Sequence, residues 1–242
     1  MVIIITGTIV PEKHIGQLAL RDHKSRLEQY ILALKKLIEA KPDAKIIFCD
    51  NSGFGTDAFA NLHRLAQGNG VQLEVLSFKG DNESVVRHGK GYGEGEIMKY
   101  VLSNSILAKK DDYLIKTTGR LIVDNMPHIV KKVDKTRIYF NIPNIHRRDI
   151  YDTRLYAMPV NVFKKYFLEE YKKVDDNNGY ILECVYRDVV LRNHLPTRNF
   201  PLYPRIVGQS GSGGIKYEYV EWKSKIRDVL SRLNFYGRVC NK

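Results

Sequence analysis

Four stretches of this sequence place small polar and charged residues directly after an apolar run. They read Thr6-Gly7-Thr8, Asp50-Asn51-Ser52, Lys79-Gly80-Asp81 and Lys116-Thr-Thr-Gly-Arg120. A carboxylate such as that of Asp50 can accept hydrogen bonds from a ribose or a base, although Asp, Asn and Ser also form local turns at such places. The concentration of hydroxyls, carboxylates and cations at these points predicts a polar ligand.

The elements that must position these residues alternate between strand and helix through the first half of the chain. The β-branched run from Val2 to Thr6 indicates a strand buried on both faces, and Ser25 to Glu28 forms a capping box before a helical pattern. Further strands are predicted at 45–50, 72–78 and 113–115, and helices at 54–67 and 96–107. This alternation predicts an α/β fold with a doubly wound, mostly parallel sheet flanked by helices, which binds ligands outside the carboxyl ends of its strands.

A glycine-rich stretch, HGKGYGEGE from His88 to Glu96, stands ahead of the helix predicted at 96–107. Neither a dinucleotide fingerprint nor a P-loop is present in it. One interpretation is a flexible segment in which Lys90 and Gly91 approach a ligand closely, next to the amides of a helix start. The other is a plain turn in which Glu94 and Glu96 stabilise the start of the helix.

The second half is less regular. Strands are predicted at 137–141 and 153–158, and helices at 160–173, 178–191 and 221–235, with a loop rich in Pro and Gly up to Gly214. We expect one domain over 1–242, with a binding half at 1–125, a second half at 126–200 and a C-terminal loop and helix at 201–242.

The order of these features resembles the nucleotide-binding half of GT-A glycosyltransferases, over about residues 1 to 190. The stretch from Asp50 to Asp57 resembles the carboxylate-rich turn of that family, and Gly89 to Glu96 its glycine-rich helix entry. The resemblance implies a GT-A-like fold and a nucleotide-sugar donor, as in the transferases of bacterial O-antigen and capsule clusters. It implies donor contacts from a set of strand-end and turn residues. These are Thr6, Gly7, Thr8, Asp50, Asn51, Ser52, Lys90, Gly91, Lys116, Thr118 and Arg120.

This chain departs from the family at one motif. Members of the family carry a DxD pair that holds Mn²⁺ or Mg²⁺ on the diphosphate. The equivalent position here reads Ile115-Lys-Thr-Thr-Gly-Arg120. Because a Lys or Arg can stabilise a leaving diphosphate electrostatically, we expect Lys116 and Arg120 to replace the metal, and no cofactor. Two alternatives stay open. The cations could be surface charges, with Arg120 paired to Asp124, or Mn²⁺ or Mg²⁺ could be held by Asp111, Asp112 or Asp124.

The same resemblance assigns the acceptor side to the second half. In inverting members a carboxylate near the start of a late helix removes the proton of the acceptor hydroxyl. Glu183 is the best match because it is an isolated carboxylate among apolar neighbours; its rivals are Asp149, Asp152 and Asp188. The loop of Arg205, Ser210 and Ser212 is predicted to fold over a phosphate or sugar, and His146, Arg147 and Arg148 lie in a loop for which plain solvation is the simpler interpretation.

Composition limits the class of partner. The net charge is +12, from 39 Lys+Arg against 27 Asp+Glu, which fits nucleic acid, anionic lipid or phosphorylated ligands. Three scattered cysteines lack metal-ligand spacing, which predicts a reducing compartment and no structural zinc. The apolar N-terminus reads as a buried strand and not as a signal peptide, so we expect a cytoplasmic protein.

The C-terminal segment interleaves Trp222 and several tyrosines with Lys223, Lys225 and Arg232. Such a helix can lie on an anionic membrane, or it can pack on the core through Val229, Leu230 and Leu233, which is the commoner arrangement. An acceptor linked to polyprenyl diphosphate at the inner face of the cell membrane would fit a peripheral basic surface.

The main expectation is therefore an inverting transferase that moves a hexosyl unit from a UDP-sugar to a bacterial surface glycan. One alternative is a sugar-phosphate nucleotidyltransferase, but Thr6-Gly-Thr-Ile-Val-Pro lacks the GxGxR motif and lysine of that group. Another is a basic nucleic-acid-binding protein, against which no RNP-like strand, helix-turn-helix or KH loop is found. We expect no nucleic-acid partner.

Overall fold

The computed structural model describes residues 1–12, 20–110, 112–141, 150–209, 214, 216–233 and 235. Its ten strands, among these residues, are β1 Val2–Gly7, β2 Lys45–Asp50, β3 Leu73–Ser77, β4 Tyr113–Thr118, β5 Leu121–Val123, β6 Ile138–Asn141, β7 Asp152–Pro159, β8 Thr197–Arg198, β9 Ile206–Gln209 and β10 Lys216–Tyr217. The α-helices are α1 His23–Glu39, α2 Ala60–Gly68, α3 Asn82–His88, α4 Lys90–Asn104, α5 Met126–Lys132, α6 Val160–Tyr166, α7 Leu182–Arg192 and α8 Glu221–Arg232.

The central sheet has seven strands in the order β3-β2-β1-β4-β7-β6-β8. Strands β1 to β4 are parallel, and β7 runs antiparallel to both of its neighbours, β4 and β6. The predicted α/β class and the mostly parallel sheet flanked by helices are confirmed. A separate three-stranded sheet, β10-β9-β5, carries part of the C-terminal region.

Alternate residues of the central strands enter two cores. On one face Ile3 and Ile5 of β1 pack with α1, α2 and α5. On the other, Val2 and Ile4 pack with α4, α6 and α7. Because all six residues of β1 are buried, the β-branched run of the sequence is explained by a strand covered on both sides.

Several element ends differ from the sequence predictions. The side chain of Asp22, not that of Ser25, caps α1 by accepting from the Ser25 amide at 2.8 Å. A 3₁₀ turn leads into α2 over Thr56–Phe59, and the helix predicted at 160–173 ends at Tyr166. Gly179 takes a left-handed conformation with φ of 79°, so α7 begins only at Leu182.

The largest difference is α4. The glycine-rich stretch was expected as a flexible segment or turn ahead of a helix, but α4 begins at Lys90 and includes Gly91, Gly93 and Gly95. All three glycines are buried. A Cβ on Gly95 would lie 2.0 Å from the Cβ of Tyr171, so the absence of side chains lets α4 pack closely on the following segment.

Candidate active site

A cavity of about 480 Å³ opens at the carboxyl ends of β1, β2 and β4. This is the position at which open α/β sheets bind their ligands. The start of β7 and the N-terminal turns of α4 and α7 face the same cavity. Ten of the residues predicted from the sequence line it: Thr6, Gly7, Thr8, Asn51, Ser52, Lys90, Gly91, Thr118, Arg120 and Glu183.

The loop after β1 is held in place by polar contacts from α1 and from the loop after β2. Thr8 donates through its hydroxyl to Asn51 Oδ1 at 2.6 Å and through its amide to the Tyr30 hydroxyl at 2.9 Å. Arg26 donates through Nε to the Thr8 carbonyl at 2.8 Å. These bonds fix the hydroxyl-rich edge of the cavity before any ligand arrives.

Asp50 is placed differently from the residues around it. Its carboxylate is buried and accepts from the amides of Ile9, Ser52 and Phe54 at 2.7, 2.9 and 3.1 Å. The contacts with Ser52 and Phe54 form the kind of local turn that the sequence left open as an alternative. Asp50 therefore joins the loops after β1 and β2 and does not line the cavity, while Asn51 and Ser52 do.

Of the two cations predicted to face a diphosphate, the structure brings one to the cavity. Arg120 is 8% exposed and donates from Nη1 to Gln29 Oε1 at 3.0 Å. Burial lowers its pKa from an ordinary value far above neutrality, so it stays charged. Among the described residues no ion pair joins it to Asp124. Lys90, at the first turn of α4, and Arg26 add two further cations to the lining.

Lys116 lies beneath the cavity and is fully buried, at 0% exposure. Its ammonium contacts Glu94 Oε1 at 2.5 Å and donates to the carbonyl of Thr153 at 2.7 Å. The hydroxyl of Thr153 in turn donates to Glu183 Oε1 at 2.8 Å. Lys116 therefore supports two carboxylates of the cavity, Glu94 by direct contact and Glu183 through Thr153. Lys116 itself does not line the cavity.

Glu183 sits in the first turn of α7 and faces the cavity. Burial raises its pKa, and the nearby charge of Glu94 raises it further. Its rivals are placed elsewhere: Asp152 is paired with Arg154, and Asp188 accepts from the Tyr180 hydroxyl and pairs with Arg187. Asp149 lies outside the described residues. Of the three candidate bases that the structure describes, Glu183 is thus the one that lines the cavity.

Of the three predicted lid residues the structure describes one, Arg205, and it does not line the cavity. Arg205 lies at the base of β9, where it pairs with Glu221 and Asp228 of α8. Ser210 and Ser212 lie outside the described residues, as do His146, Arg147 and Arg148. The β9–β10 hairpin does reach the cavity through Gln209 and Tyr217, and the guanidinium of Arg154 stacks over the Tyr217 ring at 4.7 Å.

Sequence reasoning missed several lining residues: Arg26, Glu94, Thr153, Arg154, Asp176 and Tyr217. Thr153 and Arg154 open the strand predicted at 153–158, but only the antiparallel direction of β7 brings its start to the cavity edge. Asp176 accepts from the Gly91 amide at 3.3 Å, and burial raises its pKa. The feature of the sequence that could have pointed to Asp176 is its position shortly before α7.

The residues at the end of β4 do not fit a divalent cation, because the side chains there are those of Lys116, Thr118 and Arg120. In the described part of the chain, no group of three or more His, Cys, Asp and Glu side chains is arranged to hold a metal ion. Asp112 binds the N-terminal ammonium at 3.0 Å at the opposite end of β4, Asp124 does not line the cavity, and Asp111 lies outside the described residues.

Fold and comparisons together define the class of architecture. The sheet order and the cavity at its carboxyl edge are those of the GT-A glycosyltransferase fold. The solved structures that match include two glycosyltransferases. The apo-form glycosyltransferase GlyE of Streptococcus pneumoniae TIGR4 matches with a TM-score of 0.54 and 9% identity over 83% of this chain. The galactosyltransferase LgtC, in complex with donor and acceptor sugar analogues, matches with a TM-score of 0.51 and 10% identity over 84% of this chain.

The match covers 45% of the GlyE chain and 74% of the LgtC chain, so this protein spans less than half of the length of GlyE. At the level of sequence, no family model and no curated protein matches. No helix of the described residues is long and apolar enough to cross a membrane.

Proposed function

We propose that this protein is an inverting glycosyltransferase that moves a hexosyl group from a UDP-sugar to a bacterial surface-glycan acceptor. The observation that carries the proposal is that one cavity at the carboxyl edge of the sheet holds both cations and carboxylates. Arg120, Arg26 and Lys90 supply positive charge, and Glu183 and Glu94 supply carboxylates. A nucleotide-sugar offers an anionic diphosphate to the cations and sugar hydroxyls to the carboxylates.

The donor would lie along the ends of β1, β2 and β4. The hydroxyls of Thr8, Ser52 and Thr118 offer donors and acceptors for the nucleoside and sugar. Arg120 and Lys90 would hold the diphosphate, because both line the cavity and both carry positive charge. Fixed cations of this kind stabilise the charge that develops on the leaving nucleoside diphosphate.

Glu183 would act as the general base. Its carboxylate takes the proton of the acceptor hydroxyl, whose oxygen attacks the anomeric carbon as the bond to the diphosphate oxygen breaks, so UDP leaves and the configuration inverts. The raised pKa of Glu183 makes it a stronger base than an exposed glutamate. The hydrogen bond from Thr153 fixes its orientation.

The diphosphate of this donor needs no metal in the proposal, because cations of the chain occupy the end of β4. We further propose that the acceptor is a glycan carried on polyprenyl diphosphate. It would enter beside Arg154, Tyr217 and the β9–β10 hairpin, on the side of the cavity away from β2.

The test is release of UDP from UDP-glucose, UDP-galactose and UDP-N-acetylglucosamine in the presence of EDTA, with free hexoses as surrogate acceptors. We expect slow UDP release from at least one donor and a clear loss of it in Arg120→Ala. Formation of a UDP-sugar from UTP and a hexose 1-phosphate, without UDP release, would overturn the proposal in favour of a nucleotidyltransferase. Inertness toward every UDP-sugar, with tight salt-sensitive binding to DNA, would overturn it as well.

A further inference from the structure

The C-terminal helix α8 has its apolar face turned outward. Trp222, Ile226, Val229 and Leu233 are 60%, 53%, 54% and 61% exposed. The face that packs inward is small and polar, with Ser224 and Ser231 buried. The sequence-based alternative of core packing through Val229 and Leu233 is therefore wrong for these two side chains.

Polar contacts hold α8 in this orientation. Asp228 accepts from the Tyr203 amide at 2.7 Å and pairs with Arg205 at 3.3 Å. Arg227 stacks over the Tyr203 ring at 4.7 Å and donates to its hydroxyl at 2.6 Å. Rotating the helix to bury its apolar residues would break all of these contacts, so the outward apolar face is built into the fold.

Charge is arranged on both sides of this face. At about 100° per residue, Trp222, Ile226, Val229 and Leu233 fall within an arc of about 60°. We call these four residues the apolar stripe. Lys223 lies on one side of it and Lys225 and Arg232 lie on the other, and all three cations are exposed.

We propose that the apolar stripe docks this protein on an anionic lipid bilayer. A helix of this design lies in the plane of the interface, with its apolar side chains among the acyl chains and its cations at the headgroups. Anionic headgroups complement the three flanking cations and the overall charge of +12.

Pairing of the stripe with a second copy of the chain fits less well. A symmetric dimer places the same patch of both subunits face to face. The cations on the two sides of one stripe would then meet the cations of the other. The charge pattern therefore favours a surface of opposite sign.

The position of α8 relates this docking to the cavity. Arg205 joins α8 to the start of β9, and Gln209 at the end of β9 lines the cavity. Docking would thus fix the β9–β10 hairpin near the lipid surface. The inference concerns a surface outside the donor site and does not depend on which sugar is transferred.

The fluorescence of the full chain tests the proposal directly, because Trp222 is its single tryptophan. Vesicles of phosphatidylglycerol and phosphatidylcholine should shift the emission to shorter wavelength, and lipids brominated in the acyl chain should quench it. Pure phosphatidylcholine vesicles should bind much more weakly. The proposal would be overturned if, at saturating anionic lipid, the Trp222 emission were unshifted and still quenched by acrylamide. So would emission that is already blue-shifted without lipid and changes with protein concentration, which is the sign of a second copy.

Two matched pairs of variants separate the stripe from general effects, with vesicle sedimentation as the readout. Ile226→Ser with Val229→Ser should weaken binding at least about tenfold, whereas Leu32→Ser with Ile106→Ser, at two exposed apolar positions elsewhere, should not. Lys223, Lys225 and Arg232 changed to Gln should lose roughly fivefold per charge. The control changes the exposed Lys110, Lys131 and Lys132 to Gln, which removes the same amount of charge away from α8. An equal loss of vesicle binding in this control would refute docking through α8.

Discussion

Lys116 lies at the end of β4, where the resemblance predicted a cation in place of an acidic pair, but its side chain is buried inside the protein. Its contacts with Glu94 and the Thr153 carbonyl show what the buried charge achieves: it lets one carboxylate sit at the cavity floor and positions the residue that orients another. Arg120, four residues further along the chain, is the one of these two predicted cations that lines the cavity.

Removing this buried cation should be costly. Lys116→Met preserves most of the side-chain volume but leaves Glu94 without its partner, so we expect a loss of about 3 kcal/mol in the free energy of unfolding. Urea denaturation measures it. The double variant Lys116→Met with Glu94→Gln should recover most of the loss; if the single and double variants are equally stable, Lys116 and Glu94 are not a pair.

Glu183 should show a conflict between activity and stability. Burial and Glu94 raise its pKa, so its ionised form is costly to the folded protein at neutral pH. Glu183→Gln should therefore melt at a higher temperature than the wild type at pH 7.5, and this gain should vanish as pH falls below the ordinary glutamate pKa, where the wild-type carboxyl is protonated in both states. Its rate of transfer should fall by about 10²- to 10⁴-fold.

The pH profile supplies the control for Glu183. A wild-type rate that rises with pH through a value above the usual glutamate range fits a base that must lose its proton. Asp188→Asn, at the rival carboxylate outside the cavity, should keep both the rate and the profile. A Glu183→Gln enzyme with full activity would show that another group accepts the proton.

At the scale of elements, the packing of α4 against the segment at Tyr171 explains why α4 contains glycine. Gly95→Ala would place a Cβ 2.0 Å from that of Tyr171, so the segment from Glu170 to Lys173 must move. We expect a loss of about 1–3 kcal/mol in the free energy of unfolding. Gly68→Ala is the matched control, because it is also helical but has no heavy atom within 4 Å of the added Cβ. It should stabilise by about 0.5–1 kcal/mol; equal effects at both glycines would contradict the packing of α4.

The same helix shows where sequence patterns stop being sufficient. Strand-end polarity predicted the carboxyl ends of β1, β2, β3 and β4 as the site, because residue order alone determines which side chains follow a parallel strand. The ends of β1, β2 and β4 line the cavity, whereas Lys79, Gly80 and Asp81 after β3 do not. A glycine-rich stretch usually indicates a break in regular secondary structure. Here the glycines are required by close contacts with Tyr171 and Asp176, about eighty residues away, and no local pattern in residues 89–96 reveals those contacts. In the same way, the strand at Thr153 was predicted, but its antiparallel direction depends on the whole sheet.

Orientation of α8 is a third case. Trp222, Ile226 and Val229 recur at helical spacing, and that period predicts one apolar face without stating whether the face turns inward. Asp228 and Arg205 determine the direction through long-range contacts. Periodicity therefore predicted the helix, and only the tertiary contacts showed that its apolar face is exposed.

At the scale of the whole molecule, the excess positive charge serves two surfaces in this account. Part of it lines the cavity through Arg26, Lys90 and Arg120, and part flanks the apolar stripe of α8. Both would face anionic groups, a nucleoside diphosphate in the first case and lipid headgroups in the second. A transferase of the proposed kind, with a lipid-linked acceptor, would use both surfaces.

The measurement that tests the central claim most directly is thermal unfolding with UDP in EDTA, for the wild type and Arg120→Ala. Ligand at about 100 times its dissociation constant adds about 2.7 kcal/mol of stability, or roughly 5–10 °C for a chain of this size. We predict such a shift for the wild type and for Arg137→Ala, a control whose guanidinium pairs with Asp134 at the surface, and the loss of most of it in Arg120→Ala. A shift that needs Mn²⁺ and persists in Arg120→Ala, or no shift with UDP at all, would contradict a diphosphate site built from the cations of the chain.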